Sequence, residues 1–195
     1  MKYILSVDQS TQGTKGLLFD ENGILTERAD RPHAQLINDR GWVEHDPVEI
    51  LKNTLAVCRD VVEKAAVSTK DILAFGISNQ RETAVAWNRR TGEPVYPAIV
   101  WQCARAAEIC ERHRGEAEMI RTKTGITLSP YFPASKLAWI MEHVPEARRL
   151  AKDGDLAVGT VDSWLIYQLS VERAHKTDYS NASRTQLFNI FELCW

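Results

Sequence analysis

Neither Gly-x-x-x-x-Gly-Lys-Ser/Thr nor Gly-x-Gly-x-x-Gly occurs in the 195 residues, so P-loop and dinucleotide-binding architectures lose their main support. Net charge is also scarce: 24 lysines and arginines stand against 26 aspartates and glutamates, giving −2 at pH 7. Such a balance offers no broad field for nucleic acid or an anionic membrane, and any anion site must be local. The four cysteines, Cys58, Cys103, Cys110 and Cys194, lack Cys-x-x-Cys spacing and suit reduced thiols rather than a zinc site or disulfide framework. His33, His45, His113, His143 and His175 are likewise scattered. No apolar run is long enough for a bilayer, and the run after Met1-Lys2 is broken at Asp8, too early for a signal peptide. A cytoplasmic location follows as the expectation. Asn181-Ala182-Ser183 then reads as a structural turn rather than a glycosylation site.

What is present is an ordinary globular composition, 44% hydrophobic, with no internal repeat, low-complexity tract or linker. Tyr3 to Val7, Gly16 to Asp20 and Gly23 to Arg28 alternate with turn residues and predict three strands in a meander. Asp46-Pro47-Val48-Glu49 supplies an N-cap, proline at N1 and an acid at N3. The helix it opens is expected to bury Ile50, Leu51, Leu55, Val57, Cys58, Val61, Val62 and Ala65 against a sheet. Ile72 to Ser78 returns to strand character, Thr83 to Trp87 continues it, and Ala98 to Trp101 adds a short strand. Helices are predicted over 104–114, 116–124, 134–143, 146–151 and 162–169, with β pieces at 156–159 and 185–188. This pattern fits one mixed α/β domain, with a soft division near residue 100 as the alternative.

Two places carry chemistry. Asp8-Gln9-Ser10-Thr11-Gln12-Gly13-Thr14-Lys15 delivers a carboxylate to a strand end and follows it with small hydroxyl residues and glycine, where N–H groups can approach a phosphate. Plain hairpin chemistry gives the same residues. Ser78-Asn79-Gln80-Arg81-Glu82-Thr83 carries polar side chains through a sheet end. Arg81 and Glu82 together can orient a molecule bearing several hydroxyls, provided a bend interrupts the pleat; a surface ion pair is the alternative. Trp101, Gln102, Arg105, Tyr131 and Phe132 are ambiguous between core and ligand wall.

In order along the chain, Asp8-Gln9 with Thr11, Gly41 to Pro47, Ser78 to Thr83, Ala98 to Gln102, Pro130 to Phe132, Gly159 to Leu165 and Thr177 to Thr185 resemble the FGGY family of carbohydrate kinases, its glycerol-phosphorylating branch most closely. That resemblance implies an actin-like, ribonuclease-H-like α/β fold, a mixed sheet flanked by helices, in which two lobes close around ATP, Mg²⁺ and a sugar or polyol. Residues 1–195 would be the N-terminal domain, an incomplete first lobe. By resemblance Asp8 lies near the metal, Thr11, Gln12, Gly13 and Lys15 form the first phosphate loop, and Arg81, Glu82, Trp101 and Tyr131 hold the polyol. The reaction implied is in-line attack of a terminal hydroxyl on the ATP γ-phosphate.

The aspartate base of the family sits in a later Asp-Gln motif, expected beyond Trp195, so the chain is read as a truncated N-terminal fragment that is inactive alone. Its expected partners are a small polyol or sugar and the missing C-terminal lobe, with self-association into a homo-oligomer and no nucleic acid or membrane. Ser10, Gln12, Gly13 and Lys15 depart from the glycerol branch, and lysine at the last position is commoner in pentulose-kinase relatives. A pentulose or other sugar kinase, and a non-catalytic actin-fold binding module, are therefore kept as alternatives. A nuclease reading of Asp8 and Asp178 has fold support only.

Overall fold

Leu5-Ser6-Val7-Asp8 alternates apolar and polar side chains, and in the computed structural model, which describes residues 1–195, Tyr3 to Gln9 forms β1 (Tyr3–Gln9) with Leu5, Val7 and Gln9 buried on one face and Ile4 exposed on the other. β2 (Gly13–Asp20) and β3 (Leu25–Pro32) complete the predicted antiparallel meander. Asp46 caps α1 (Pro47–Ala65) by accepting the Val48 N–H at 2.8 Å, as the sequence predicted. β6 (Ile72–Asn79) then returns parallel to β1, and the sheet order is β3-β2-β1-β6. An antiparallel meander extended by a helix-linked parallel strand is the mixed sheet expected. α1 buries Ile50, Thr54, Val57 and Val61. Leu55, predicted to be core, is 47% exposed. Thr54 takes the inward position beside it, its hydroxyl bonded back to the Ile50 carbonyl at 2.9 Å.

Helix and sheet approach most closely at Gly16. A Cβ there would lie 2.7 Å from the Val57 carbonyl oxygen, so α1 must move away from β2 to admit one. Gly16→Ala is expected to cost about 1–3 kcal/mol in urea unfolding, whereas Gly115→Ala, which meets open space, should stay within about 0.5 kcal/mol. Equal midpoints for the two variants would contradict the close approach.

The chain divides into two compact units, and the soft boundary anticipated near residue 100 is displaced: the first unit is Met1–Gln35 with Asp46–Gln80, the second Leu36–His45 with Arg81–Trp195. In the second unit β4 (Leu36–Ile37), β5 (Val43–His45) and β8 (Ala98–Ile99) form one small antiparallel sheet. β7 (Val85–Asn88) pairs with β9 (Leu156–Gly159). The 83–87 segment therefore does not continue β6, because residues 81 and 82 form a turn. Around these lie α2 (Ala107–Arg112), α3 (Ala117–Thr124), α4 (Pro133–His143), α5 (Pro145–Lys152), α6 (Val161–Leu169) and α7 (Tyr179–Ala182). α2 starts three residues later than predicted because turns close at Cys103 N–H to Val100 and Ala107 N–H to Ala104.

Ala86, Ile99, Ala106, Ile109, Trp139, Ile140 and Ala147 make the second unit's main core. The predicted strand at 185–188 is absent. Gln186 sits at φ +63° and the Thr185 hydroxyl bonds the Ala182 carbonyl at 2.7 Å, so the segment bends back on α7 instead of extending. No helix is long and apolar enough to cross a membrane.

Candidate functional site

In the first unit, Asp8 and Lys15 face each other across β1 and β2, and Lys15 Nζ donates to Asp8 Oδ2 at 3.2 Å. Both side chains are 38% exposed. The pair is a neutral couple at the end of a strand, where an incoming anion can engage the ammonium and a cation the carboxylate. Between the strands the loop is only Ser10-Thr11-Gln12, since β1 runs on through Gln9 and β2 begins at Gly13, earlier than the Gly16 start predicted. Ser10 N–H and its hydroxyl both donate to the Gly13 carbonyl, at 2.8 and 3.0 Å. The Thr11 carbonyl meets His33 Nε2 at 2.9 Å, and Gln12 is exposed. Gly13 has a packing reason of its own: a Cβ would stand 2.6 Å from the Arg31 carbonyl oxygen on β3. Gln80 ties the end of β6 to β1, its N–H donating to the Gln9 carbonyl at 2.9 Å and its amide to Gln9 Oε1 at 3.1 Å.

In the second unit Arg81 and Glu82 occupy a turn, which meets the condition set by the pleat, but they do not pair with each other. Arg81 is exposed and its Nη1 donates to Ser180 Oγ at 3.3 Å. Glu82 is 7% exposed and accepts from Arg184 Nε at 2.7 Å. Arg184 in turn lies over the Phe132 ring, 5.0 Å from its centroid. Phe132 meets Tyr131 edge-on at 5.0 Å, and Tyr131 meets Trp101 at 5.4 Å. A continuous path of contacts thus joins the carboxylate to the two candidate wall residues. Trp101 and Tyr131 border a groove of about 380 Å³ with Gln102, Cys103, Ala104, Ser129 and Pro130. Neither Arg81 nor Glu82 lines that groove; aromatic faces linked through Phe132 and Arg184 to a buried acceptor suit a small molecule with a carbon chain and several hydroxyls.

Two cations of this region were not predicted as site residues. Lys136 on α4 is fully buried and donates to the Pro130 carbonyl at 2.8 Å and to that of Tyr131. Its signal was in the sequence: it falls at helical spacing with Phe132, Trp139 and Ile140, which are all buried. Arg184 carried no local signal, because its partner is 102 positions away. Arg105 has no exposed side-chain surface and donates to Glu44 at 2.6 Å and to the Tyr96 hydroxyl at 3.1 Å. It lies between Trp42 and Trp139, 4.5 and 4.9 Å from their centroids. Burial opposes its charge, and Cys103 and Glu44 more than offset that, holding its pKa above the usual guanidinium value. Arg105 is thus a core cation. Asp178 is committed to α7, accepting from the Asn181 N–H at 2.7 Å and its amide at 3.1 Å, which removes the remaining support for a nuclease pair.

A larger cavity of about 490 Å³, bordered by Pro133, Leu137, Ser163, Leu187 and Trp195, is mainly apolar. Its polar wall residues Thr160 and Thr177 spend their hydroxyls on the buried Asp162 carboxylate, at 2.5 and 2.6 Å. Burial holds the Asp162 pKa above the ordinary carboxylate value. The four cysteines are free, and no cluster of three metal-ligating side chains occurs.

The chain as a whole is similar to known proteins. The chain is 50% identical to glycerol kinase 1 of Thermotoga maritima over 195 residues, which is 99% of this chain and 40% of that protein. It is 49% identical to the glycerol kinase of Alcanivorax borkumensis over 197 aligned positions, covering 100% of the chain and 40% of that relative. It therefore spans about two fifths of the length of these curated relatives. Among solved structures, Plasmodium falciparum glycerol kinase with ADP superposes with a TM-score of 0.92 at 36% identity, over 100% of this chain and 39% of that one. Ligand-bound xylulose kinase from Lactobacillus acidophilus gives 0.85 at 25% identity, over 100% and 38%. The description of the FGGY family of carbohydrate kinases, N-terminal domain, matches residues 3–195, and the chain belongs to that family.

Proposed function

We propose that this chain is the polyol-recognising N-terminal domain of an ATP-dependent kinase that phosphorylates a terminal hydroxyl of glycerol or a similarly small polyol. The single observation that carries the reading is the second-unit arrangement in which Glu82, held by Arg184, connects through Phe132 to the Tyr131–Trp101 groove. Arg81 offers a cationic fork for hydroxyl oxygens, and Glu82 keeps a carboxylate oxygen for hydroxyl protons. Trp101 and Tyr131 supply apolar faces for the carbons. Glycerol is favoured over a pentulose by the relatives themselves, since the curated proteins near 50% identity are glycerol kinases while the xylulose kinase stands at 25%.

The Asp8–Lys15 couple and the Ser10–Gln12 loop are assigned to the ATP phosphates and their metal. One carboxylate suits Mg²⁺, which is held chiefly by water and phosphate oxygens and does not need a cage of protein ligands. Lys15 acts there as a point charge. When bound, Mg²⁺ supplies charge neutralisation at the transferred phosphoryl group. The chain spans about two fifths of the length of its curated relatives; the general base is assigned to the part of the kinase it does not span, and the chain by itself is expected to release no ADP.

Saturation-transfer NMR on the chain with glycerol, erythritol and xylulose tests the substrate class. Glycerol should receive saturation, and Arg81→Ala should weaken it about tenfold or more, the value of a charged hydrogen bond. Transfer to xylulose alone would move the assignment to a pentulose kinase. No transfer to any polyol, or robust ADP release from the chain with glycerol, would sink the proposal.

A further inference from the structure

Lys136 stands one turn into α4 among buried neighbours, and none of its surface reaches solvent. Its Nζ donates to the carbonyls of Pro130 at 2.8 Å, Tyr131, and Phe132 at 3.4 Å. Three consecutive main-chain oxygens thus converge on one ammonium, and they belong to the loop that carries Tyr131. Few other bonds hold that loop: the Tyr131 N–H reaches Ser129 Oγ at 3.2 Å and the Phe132 N–H the Ser129 carbonyl at 3.3 Å. Enclosing a lysine is costly, and an ammonium surrounded by carbonyl oxygens tolerates it only because each N–H has an acceptor.

Resting on the polyol reading of the groove, we propose that Lys136 is a positioning residue, whose ammonium fixes the Pro130–Phe132 backbone and so holds Tyr131 against Trp101 as the substrate wall. Lys136 itself does not touch substrate. The stoichiometry is the core of the argument. An ammonium has three protons for three carbonyls, whereas a neutral amine has two and turns a lone pair toward the third oxygen. Burial pulls the Lys136 pKa down to about 7, against the opposing pull of Cys103, Glu82 and Cys110. Arg105 adds to the downward shift. Those four are the side chains whose charge acts on the ammonium most, and none is a histidine. The loop therefore loses one of its three anchoring bonds as the pH rises through neutrality.

Chain carrying ring-13C-labelled tyrosine, whose unsubstituted phenol ordinarily ionises above this range, with the Tyr131 resonance assigned by Tyr131→Phe, is titrated from about pH 5.5 to 9, a range that brackets the depressed lysine value. Saturation transfer to glycerol is recorded at both ends. The Tyr131 resonance should shift with an inflection near neutrality, and glycerol should bind roughly two- to tenfold more weakly at the alkaline end, the equivalent of one hydrogen bond. In Lys136→Met the inflection disappears and the resonance is displaced at every pH. A merely structural lysine would change the melting temperature but leave no titration at Tyr131. A flat wild-type profile overturns the proposal even where Lys136→Met does not fold, and so does a folded Lys136→Met that keeps the wild-type profile. An inflection at Tyr131 without glycerol transfer at any pH supports the hold on Tyr131 while removing the polyol reading.

Discussion

Glu82→Ala is expected to abolish the proposed saturation transfer to glycerol and to lower the stability of the second unit by about 2–3 kcal/mol. Two separate losses add here. The first is the acceptor of the proposed polyol contact, a charged hydrogen bond of about 1.5–3 kcal/mol, enough to push a millimolar ligand out of the measurable range. The second is the partner of Arg184. Glu82 is 9% exposed in its side chain and Arg184 29%, so the stranded guanidinium still reaches water, and the penalty falls below the about 3–5 kcal/mol of a fully enclosed broken pair. Glu82→Gln separates the two effects. An amide oxygen can still accept from Arg184 Nε, so stability recovers most of its value, whereas the hydroxyl-facing charge is gone and binding stays at least about tenfold weaker. Glycerol binding unaltered in Glu82→Gln would remove Glu82 from the polyol site. Unaltered stability in Glu82→Ala would mean that the bond to Arg184 contributes nothing.

Arg105→Met should produce the largest loss of stability, about 3–5 kcal/mol, to be read from the urea midpoint of the second unit's tryptophan signal. The substitution leaves Glu44, 17% exposed in its side chain, with its charge unpaired in the interior. It also removes the cation from between Trp42 and Trp139, and each cation–π contact there adds about 0.5–2 kcal/mol. Methionine restores the volume but neither the charge nor the planar fork. The double variant Glu44→Gln with Arg105→Met should regain at least about 1 kcal/mol relative to the sum of the single variants, because the stranded carboxylate is removed. Strict additivity would show that Glu44 and Arg105 are independent, and a single-variant cost under about 1 kcal/mol would contradict the enclosure of the guanidinium.

The elements read well from sequence are those whose signals are local. Asp46-Pro47 announces α1 because a cap and a pre-set φ act within four residues, and the alternation of Leu5 to Asp8 matches the face of β1 that is buried, although Ile4 is exposed and Gln9 enclosed. The failures share a cause. Thr185 to Phe188 has strand composition, yet a left-handed Gln186 and a hydroxyl bond to Ala182 override it. Leu55 loses its expected place to Thr54, whose hydroxyl is satisfied by its own helix. At the site, Asp8 opposite Lys15 and Trp101 beside Tyr131 come together as pairs. Arg81 and Glu82, read as orienting one ligand together with a mutual ion pair as the alternative, reach separately to Ser180 and Arg184. No periodicity or spacing rule connects positions 82 and 184. Only the order of motifs in the family resemblance brought Thr177 to Thr185 into view.

That separation has a consequence for biosynthesis. The carboxylate at position 82 leaves the ribosome long before its counter-cation, with 101 intervening residues still to follow. During this interval nothing neutralises it, so the pocket cannot close around its acid while the polypeptide is emerging. Arrested nascent chains of increasing length should acquire protection at residue 82 in one late step, once position 184 has cleared the exit tunnel.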